Sequence, residues 1–306
     1  MITHFGMLFP GTHSIKYKDI KNVRMEFRTK VDIPRPDFAI EPLERMLLVG
    51  SCFADNMGRR FREEQFPVTV NPMGVMYNPA SILHTVRRCD EAPRVALFTL
   101  GTNHVYRLKE TGEIVDNCRK RPARLFSEEA LSVEECCGYL SEAAETLRSR
   151  NPDVRVIVTV SPIRYAKYGF HGSQLSKATL LLAADMLVRR HGYCSYFPAY
   201  EVVNDELRDY RFYAEDMLHP SQQAVDYIWE LFSAAYLSPA AKRFIEEWKP
   251  VKEALGHKPF NPESDEYKEF MARTQLRIEE LKRKYPELEI TGQSENPAGS
   301  LSSMGQ

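Results

Sequence analysis

The chain has 306 residues, 43% of them hydrophobic, so it is long enough to bury a full core as one large domain with appendages. Its 41 Lys and Arg residues are balanced by 42 Asp and Glu residues, and the net charge of −1 disfavours nucleic acid or an acidic membrane surface as a partner. The six cysteines have no C-x-x-C spacing, and the sequence has no H-E-x-x-H motif, secretory signal or long apolar run, so we expect a cytoplasmic protein that needs no metal or cofactor.

Residues 1–45 are predicted to form an extended N-terminal lead-in, because three prolines between 34 and 42 disfavour a helix. Strand-like and helical patterns then alternate through residues 46–237. The strand-like runs are 46–50, 68–70, 94–100, 154–160 and 194–197. The helical patterns are about 54–66, 79–89, 132–150, 173–191 and 220–236. Hydrophobic strands separated by helices predict an α/β fold with a parallel sheet that is covered on both faces.

Two segments depart from this alternation. Residues 104–126 contain two short strand-like runs around Thr111 and Gly112, which predict a small hairpin. After residue 237 the patterns at 240–248 and 265–285 are charged and helix-prone, so a helical extension is predicted over 238–288. Residues 289–306 have little apolar content, and we expect a disordered tail there.

A serine follows the first predicted strand. Residues 46–50 form a short apolar run, and an amphipathic segment with Met57 and Phe61 begins directly after Ser51. The pattern predicts a buried strand that leads into a helix, with Ser51 at the junction. Ligands bind at this edge of α/β sheets, where helix N-terminal N–H groups can also stabilise an anion. Ser51 is therefore a candidate nucleophile.

Asp216 and His219 lie three residues apart and are followed by Pro220, which suits the first turn of a helix. A carboxylate at this spacing can hold the Nδ1–H of the imidazole and leave Nε2 free to accept a proton. Ser51 is the best-placed hydroxyl to supply that proton. For the pair taken alone, an equally good interpretation is that Asp216 caps the helix at 220–236 and His219 packs at its start.

Polar blocks also follow the next two strand-like runs. Residues 71–74 follow the second run and residues 99–104 follow the third, so both fall at the same sheet edge as Ser51. The Gly74 N–H and the Asn103 side-chain amide are short, rigid donors without a competing charge, as an oxyanion hole requires. Taken singly, each is more often an ordinary turn residue. Several such blocks, in order along one edge of the sheet, favour a functional site over a set of ordinary turn residues.

The order Ser, Gly, Asn, His, with an Asp three residues before the His, resembles the SGNH (GDSL-like) hydrolase superfamily. More narrowly, residues 50–54 read GSCFA, the motif for which the GSCFA family is named. The resemblance covers roughly residues 26–240. It continues through four further blocks, at 71–79, 98–102, 161–164 and 210–220.

This resemblance implies a flavodoxin-like three-layer α/β/α sandwich with a mostly parallel sheet, and hydrolysis of an ester or acyl group by a serine. It makes Ser51 the nucleophile, His219 the general base and Asp216 the carboxylate that orients the imidazole. The N–H groups of Ser51 and Gly74, with the Asn103 side chain, would form the oxyanion hole. We therefore predict an esterase or deacylase that acts on O-acyl groups of a small-molecule or glycan ester.

Four residues are candidates for substrate binding. Arg119 and Arg164 lie in loops after strand-like segments, where a guanidinium could meet an anionic group. Members of the family often have histidine at the positions of Arg119 and Tyr165, and this resemblance makes both of them candidates. His104, which follows the third strand-like run, is the fourth. Each is also compatible with an ordinary loop or surface role.

Two alternatives are kept open. Cys52 is a competing nucleophile, because a thiol at a helix N-terminus has a lowered pKa; against it, strand alternation would turn Cys52 away from Ser51 or into the first helical turn. The second alternative is a non-catalytic binding module on the same fold that recognises an acylated or anionic ligand. The joint presence of Ser51, Asp216 and His219 favours the enzyme, since a binding module has no chemical need for all three.

Overall fold

The computed structural model describes residues 27–116, 118 and 121–290. The strands of this part of the chain are β1 (Met46–Gly50), β2 (Val68–Val70), β3 (Val95–Leu100), β4 (His104–Leu108), β5 (Ile114–Val115), β6 (Phe126–Ala130), β7 (Arg155–Val160) and β8 (Cys194–Tyr196). The helices are α1 (Cys52–Glu63), α2 (Pro79–Arg88), α3 (Val133–Arg150), α4 (Gly169–Arg190), α5 (Ala199–Glu201), α6 (Gln222–Tyr236), α7 (Pro239–Gly256) and α8 (Asp265–Lys284).

Five strands form one sheet in the order β2, β1, β3, β7, β8, and every neighbouring pair is parallel. If only the five strands of this sheet are numbered from 1 to 5 along the chain, their order in the sheet is 2-1-3-4-5. This is the strand order of flavodoxin-like sheets. The order changes direction between β1 and β3, and such sheets bind ligands at this point, outside the carboxyl ends of the strands. The predicted fold class is confirmed, and Ser51 lies at that point because it directly follows β1.

The sheet is covered on both faces because its central strands send alternate side chains into two cores. In β1, Met46 and Leu48 belong to a cluster with α1, α6 and α7. Leu47 and Val49 belong to a second cluster with α2, α3 and α4. All four side chains are buried. The three layers therefore follow from the unbroken hydrophobic strands, as the sequence predicts.

The segment at 104–126, predicted as a hairpin, contributes to a separate antiparallel sheet with the order β5-β4-β6. The sequence pattern does not predict its third strand, β6, because this run carries two glutamates and lacks the β-branched residues typical of strands. Pairing with β4 holds it in place, with Glu128 opposite Tyr106 and Phe126 opposite Leu108.

Helix α7 continues to Gly256, beyond the predicted 240–248, although Pro250 has no N–H to continue the helical hydrogen bonds. Trp248 and Val251, on either side of that proline, are fully buried in the cluster shared with α1 and α6. Trp248 Nε1 also donates to the carbonyl of Glu63 at 2.9 Å. Tertiary packing of this kind stabilises a helix more than local propensity does, so the helix extends through the proline.

Residues 27–45 of the predicted lead-in contain no helix. Residues 1–26 of the lead-in and 291–306 of the predicted disordered tail lie outside the described residues. The division between the core at 46–237 and the helical extension at 238–288 stays a prediction.

No described helix is both long and apolar enough to cross a membrane. Among the described residues there is also no group of three or more His, Cys, Asp or Glu side chains that could hold a metal ion.

Candidate active site

Strand β1 ends in a turn that requires glycine. Gly50 has a φ of +142°, and a Cβ atom at this position would lie 2.2 Å from the carbonyl oxygen of Thr99 on β3. The Gly50 N–H donates to Oδ1 of Asn71 at 2.9 Å, and Nδ2 of Asn71 donates to Asp55 at 2.8 Å. Because Asp55 lies in the first turn of α1, Asn71 ties the end of β1 to the start of that helix.

Ser51 is the N-cap residue of α1 and is 1% exposed. Its Oγ accepts a hydrogen bond from the Phe53 N–H at 3.3 Å, as N-cap side chains do. The same Oγ lies 3.1 Å from Oγ1 of Thr99, and either hydroxyl can donate. Thr99 is fully buried at the β3 position that pairs with Gly50, so the sheet register brings the two hydroxyls together. Sequence reasoning missed this contact, whose one signal is a threonine close to the end of a predicted strand.

Asp216 and His219 form a hydrogen-bonded pair. Asp216 Oδ2 lies 2.5 Å from His219 Nδ1, and Oδ1 accepts the N–H groups of Leu218 at 2.8 Å and His219 at 2.9 Å. Burial raises the pKa of Asp216, but these hydrogen bonds and the charge of His219 outweigh it, and the pKa lies below its usual value. His219 Nε2 has no hydrogen-bond partner among the described residues, and its side chain is 40% exposed. The pair therefore has the arrangement of a general base with its carboxylate.

No hydrogen bond joins Ser51 Oγ to His219 within the described residues, but the two lie at the same edge of the sheet. Arg164, four residues after the end of β7, donates from its backbone N–H to the carbonyl of Leu218 at 2.9 Å, which holds the turn that carries His219 at this edge.

Burial, and then the charge of Asp55, raise the pKa of Cys52 to about 12, and Asp216 makes a smaller contribution in the same direction. Because the Cys52 thiol is protonated at neutral pH, it is a poor nucleophile, which supports Ser51 in that role.

The three predicted oxyanion donors all have hydrogen-bond acceptors within the protein. The Ser51 N–H donates to a carbonyl of β3 at 3.0 Å, and the Gly74 N–H donates to the Asn71 carbonyl at 2.8 Å. Nδ2 of Asn103 donates at 2.7 Å to a carbonyl that precedes α3, and its Oδ1 is buried without a hydrogen-bond partner among the described residues. The N–H groups of Ser51 and Gly74 are therefore not free for an oxyanion in this arrangement, and one of the two N–H groups of Asn103 Nδ2 is also occupied.

Two of the predicted substrate-binding residues, His104 and Tyr165, belong to a row of partly buried rings that we call the ring row. Ring centroids are 6.1 Å apart for Tyr77 and Tyr165, 5.5 Å for Tyr165 and Tyr168, and 3.8 Å for Tyr168 and His104, which are stacked. Burial, with a smaller contribution from Cys52, raises the pKa of Tyr77 to about 12. The N–H of Met76, the residue before Tyr77, donates to the carbonyl of Gly50 at 2.8 Å, so this end of the ring row lies close to the junction of β1 and α1.

The other end of the ring row carries opposite charges. Lys167 Nζ donates to Glu128 at 2.6 Å and also to the Tyr106 hydroxyl, while the Tyr168 hydroxyl donates to Glu128. Burial lowers the pKa of His104, although Glu128 acts in the opposite direction, so its imidazole is neutral at pH 7. Glu128 and Lys167 lie far apart in the sequence. The pairing of β6 with β4 places Glu128 opposite Tyr106, and Lys167 bonds to both side chains.

The remaining two substrate-binding candidates have different outcomes. Arg119 lies outside the described residues. Arg164 does not belong to the ring row: its guanidinium lies 4.1 Å from the centroid of the Phe170 ring, and Nη1 donates to the carbonyl of Met217 at 3.0 Å. Arg164 therefore contacts the loop that carries Asp216 and His219.

A buried lysine lies beneath the same edge of the sheet. Lys177 of α4 is 2% exposed, and Nζ donates to the carbonyls of Gly101 at 2.7 Å and Ser161 at 2.8 Å. These two residues directly follow β3 and β7, so Lys177 joins the ends of two neighbouring strands. Burial lowers the pKa of Lys177 to about 7, and Cys52 acts weakly in the opposite direction. The sequence pattern places Lys177 only on a helix and gives no sign of this role.

The titration of Lys177 predicts a pH dependence of stability. Below about pH 7 the Lys177 amine is charged in both the folded and the unfolded chain. Between pH 7 and the ordinary lysine pKa of 10.5, only the unfolded chain keeps the proton. The free energy of unfolding therefore rises with pH over this range. We expect this contribution to be about 3 kcal/mol between pH 7 and 9.5. Denaturant unfolding at these two pH values measures the contribution. The free energy of unfolding should rise more between pH 7 and 9.5 in the unchanged protein than in Lys177→Met.

The matched control for this experiment is Lys242→Met, since Lys242 also donates to a backbone carbonyl, that of Ala234, at 2.9 Å but is more exposed. The control should keep the pH dependence of the unchanged protein. Equal pH dependence in Lys177→Met and the unchanged protein would show that the lysine is charged in the folded state up to high pH.

Comparison with known proteins gives the family. The sequence matches the GSCFA family over residues 45–94 and 87–232, and a domain described as "GSCFA domain protein, C-terminal domain" over residues 248–293. No curated protein matches the chain.

Several solved structures are similar to this one at low identity. A carbohydrate esterase family 3 protein from Talaromyces cellulolyticus has 11% identity and a TM-score of 0.40 over 67% of this chain and 99% of that one. A family 3 carbohydrate esterase from Clostridium thermocellum has 11% identity and a TM-score of 0.38 over 70% and 99%. A catalytic mutant of an acetylxylan esterase from Geobacillus stearothermophilus has 12% identity and a TM-score of 0.41 over 65% and 96%. At these values the similarities carry no activity over to this chain.

The family match extends over more than half of the sequence and includes Ser51, Asp216 and His219. The chain belongs to the GSCFA family.

Proposed function

We propose that this chain is a serine hydrolase of the SGNH type, an esterase or deacylase that removes O-acyl groups. The observation that carries the proposal is the Asp216–His219 pair, in which the carboxylate holds Nδ1 at 2.5 Å and Nε2 has no partner among the described residues. An imidazole in this state can act as a general base. Ser51, which follows β1 at the same edge of the sheet, is the hydroxyl that this base would activate.

In the proposed mechanism, Ser51 Oγ attacks the acyl carbon while His219 Nε2 accepts the hydroxyl proton and then passes it to the leaving alcohol. Water, deprotonated by the same nitrogen, releases the acid from the acyl-enzyme. Because the Ser51 hydroxyl caps α1 and contacts Thr99, it has to rotate towards His219 before it attacks. Asp216 keeps the proton on Nδ1 and stabilises the imidazolium.

The N-terminus of α1 is the candidate oxyanion site that fits best. The N–H of Cys52 is the first of the helix and forms no hydrogen bond with another described residue. Helix N-terminal N–H groups and the helix dipole favour a negative charge there. The N–H groups of Ser51 and Gly74 would first have to break their existing hydrogen bonds, and Asn103 Nδ2 already donates one of its two N–H groups to the protein.

The ring row is the proposed place for the substrate. Its partly buried aromatic faces begin near the junction of β1 and α1 and end at the charged pair of Lys167 and Glu128, so apolar and polar groups lie side by side. Binding sites for small molecules combine apolar walls with a few polar groups that fix orientation. A small-molecule or glycan ester in the cytoplasm stays the proposed substrate.

A second candidate is the non-catalytic binding module, and one observation favours it. Ser51 is 1% exposed, and its Oγ contacts Thr99 and the Phe53 N–H instead of His219. In a binding module, Ser51 Oγ would keep its contacts with Thr99 and the Phe53 N–H permanently. An enzyme has to leave it in each turnover.

Labelling with a fluorophosphonate probe, followed by peptide mapping, separates the two candidates. The enzyme is expected to carry the probe on Ser51, since these reagents react with serines that a neighbouring base activates. Ser51→Ala and His219→Gln should abolish labelling, whereas Ser264→Ala, which removes the N-cap of the distant α8, should not. A folded protein with no probe on Ser51 would favour the binding module.

A further inference from the structure

Two consecutive carbonyls lie between the proposed base and its carboxylate, and Arg164 binds both. Its backbone N–H donates to the carbonyl of Leu218 at 2.9 Å, and its side-chain Nη1 donates to the carbonyl of Met217 at 3.0 Å. Arg164 follows β7, in the central sheet, by four residues. The guanidinium therefore connects the rigid sheet edge to the turn between Asp216 and His219.

The turn itself needs such support. Met217 has a φ of +58°, a left-handed conformation that is unfavourable for a residue with a long side chain, and its side chain is exposed. On one side, Asp216 Oδ1 accepts the N–H groups of Leu218 and His219. On the other side, the carbonyls of Leu218 and Met217 accept hydrogen bonds from the backbone N–H and from Nη1 of Arg164. These contacts together fix the direction in which the His219 ring points.

The Arg164 side chain is itself held in place by aromatic rings. Its guanidinium lies 4.1 Å from the centroid of Phe170, 5.4 Å from that of Tyr213 and 5.9 Å from that of Tyr210. No carboxylate forms an ion pair with Arg164 within the part of the chain that the structure describes. Its guanidinium thus donates through Nη1 to one backbone carbonyl, that of Met217, and the surrounding rings restrict the side chain to that geometry.

We infer that Arg164 is a positioning residue, which holds the 216–219 turn so that the His219 imidazole keeps the hydrogen bond to Asp216 and presents Nε2 to Ser51. The catalytic part of this inference rests on the proposed function, whereas the effect on the imidazole does not. The role differs from substrate binding, the role that the sequence suggests for Arg164. A misplacement of the base by about 1 Å can cost on the order of 100-fold in rate.

The test compares Arg164→Met with Arg211→Met as a matched control. Arg164→Met keeps the apolar stem and the backbone N–H bond to Leu218 but removes the guanidinium and its bond to Met217. Arg211 is another cation on an aromatic ring of the same segment, with a 73% exposed side chain that contacts Asp209. In Arg164→Met we expect the low-field proton signal of His219 Nδ1–H, assigned by its absence in His219→Gln, to be lost or shifted. With p-nitrophenyl acetate we expect kcat to fall by about 10- to 100-fold and KM to stay within about twofold.

The control should leave both the signal and the kinetics unchanged. An unchanged His219 signal in a folded Arg164→Met variant overturns the inference; if KM then rises with kcat unchanged, Arg164 binds substrate. Arg164→Lys covers the case in which the methionine variant does not fold, and a partial loss of kcat with a shifted His219 signal is expected because one donor is retained. If the unchanged protein shows no hydrolysis, the proposed function fails, but the His219 signal still decides the role of Arg164.

Discussion

Ser51→Ala is expected to lower kcat for p-nitrophenyl acetate by a factor on the order of 10³ or more, because the variant has no oxygen that can attack the acyl carbon. Some residual turnover should remain, since His219 can still activate water and the N-terminus of α1 can still stabilise a negative charge. Steady-state kinetics on the purified variant measures the loss.

The same substitution removes the N-cap of α1, which costs about 1 kcal/mol of stability. Ser264→Ala removes the equivalent cap of α8, where Oγ accepts the Tyr267 N–H at 3.2 Å, and so matches this cost at a site away from β1. The control should lose stability and keep its activity. Unchanged turnover in Ser51→Ala would exclude the serine as nucleophile.

Asp216→Asn should lower kcat by about 10³- to 10⁴-fold. The asparagine Oδ1 can still accept the N–H groups of Leu218 and His219, so the turn should persist. Its amide would donate to His219 Nδ1, however, and this moves the imidazole proton to Nε2, the atom that must accept the serine proton. The carboxylate has a pKa below its usual value and is charged at neutral pH, so the variant tests that charge directly.

Asp209→Asn is the matched control for this substitution. Asp209 lies in the same segment and caps a short helical turn by accepting the Arg211 N–H at 2.9 Å, but it has no contact with an imidazole. Its kinetics should be unchanged. A loss below about tenfold in Asp216→Asn would mean that Asp216 acts only as a cap for the turn.

The fold could be predicted from the sequence because its strands are hydrophobic on both faces and its helices are separated by clear turns. Strand β6 and the last part of α7 were not predicted, for opposite local reasons. The glutamates of β6 are unfavourable in a strand until β4 provides cross-strand partners, and Pro250 is unfavourable in a helix until Trp248 and Val251 are buried. In both cases tertiary contacts override the local preference.

The site could be predicted only in part. Asp216 and His219 are close in sequence, so their spacing was enough to suggest the hydrogen bond that the structure has. Contacts across the sheet edge were not predictable in this way, because Thr99 reaches Ser51 through strand register and Lys177 reaches Gly101 across 76 positions. The type of a residue also does not show whether its N–H already has an acceptor. The sequence therefore suggested Gly74 as a free donor, although its N–H is bonded to the carbonyl of Asn71.

Because Ser51 Oγ is the hydroxyl that caps α1, the proposed reaction would change the helix as well as the substrate. Once the oxygen carries an acyl group, it is a weaker acceptor for the Phe53 N–H, and the first turn of the helix loses its best side-chain partner. The N-terminus of α1 is therefore less stable in the covalent intermediate than in the free enzyme. Hydrolysis of the intermediate restores the cap. Part of the driving force for deacylation, about 1 kcal/mol, would come from restoring this hydrogen bond, so turnover and helix stability would be linked at a single oxygen atom.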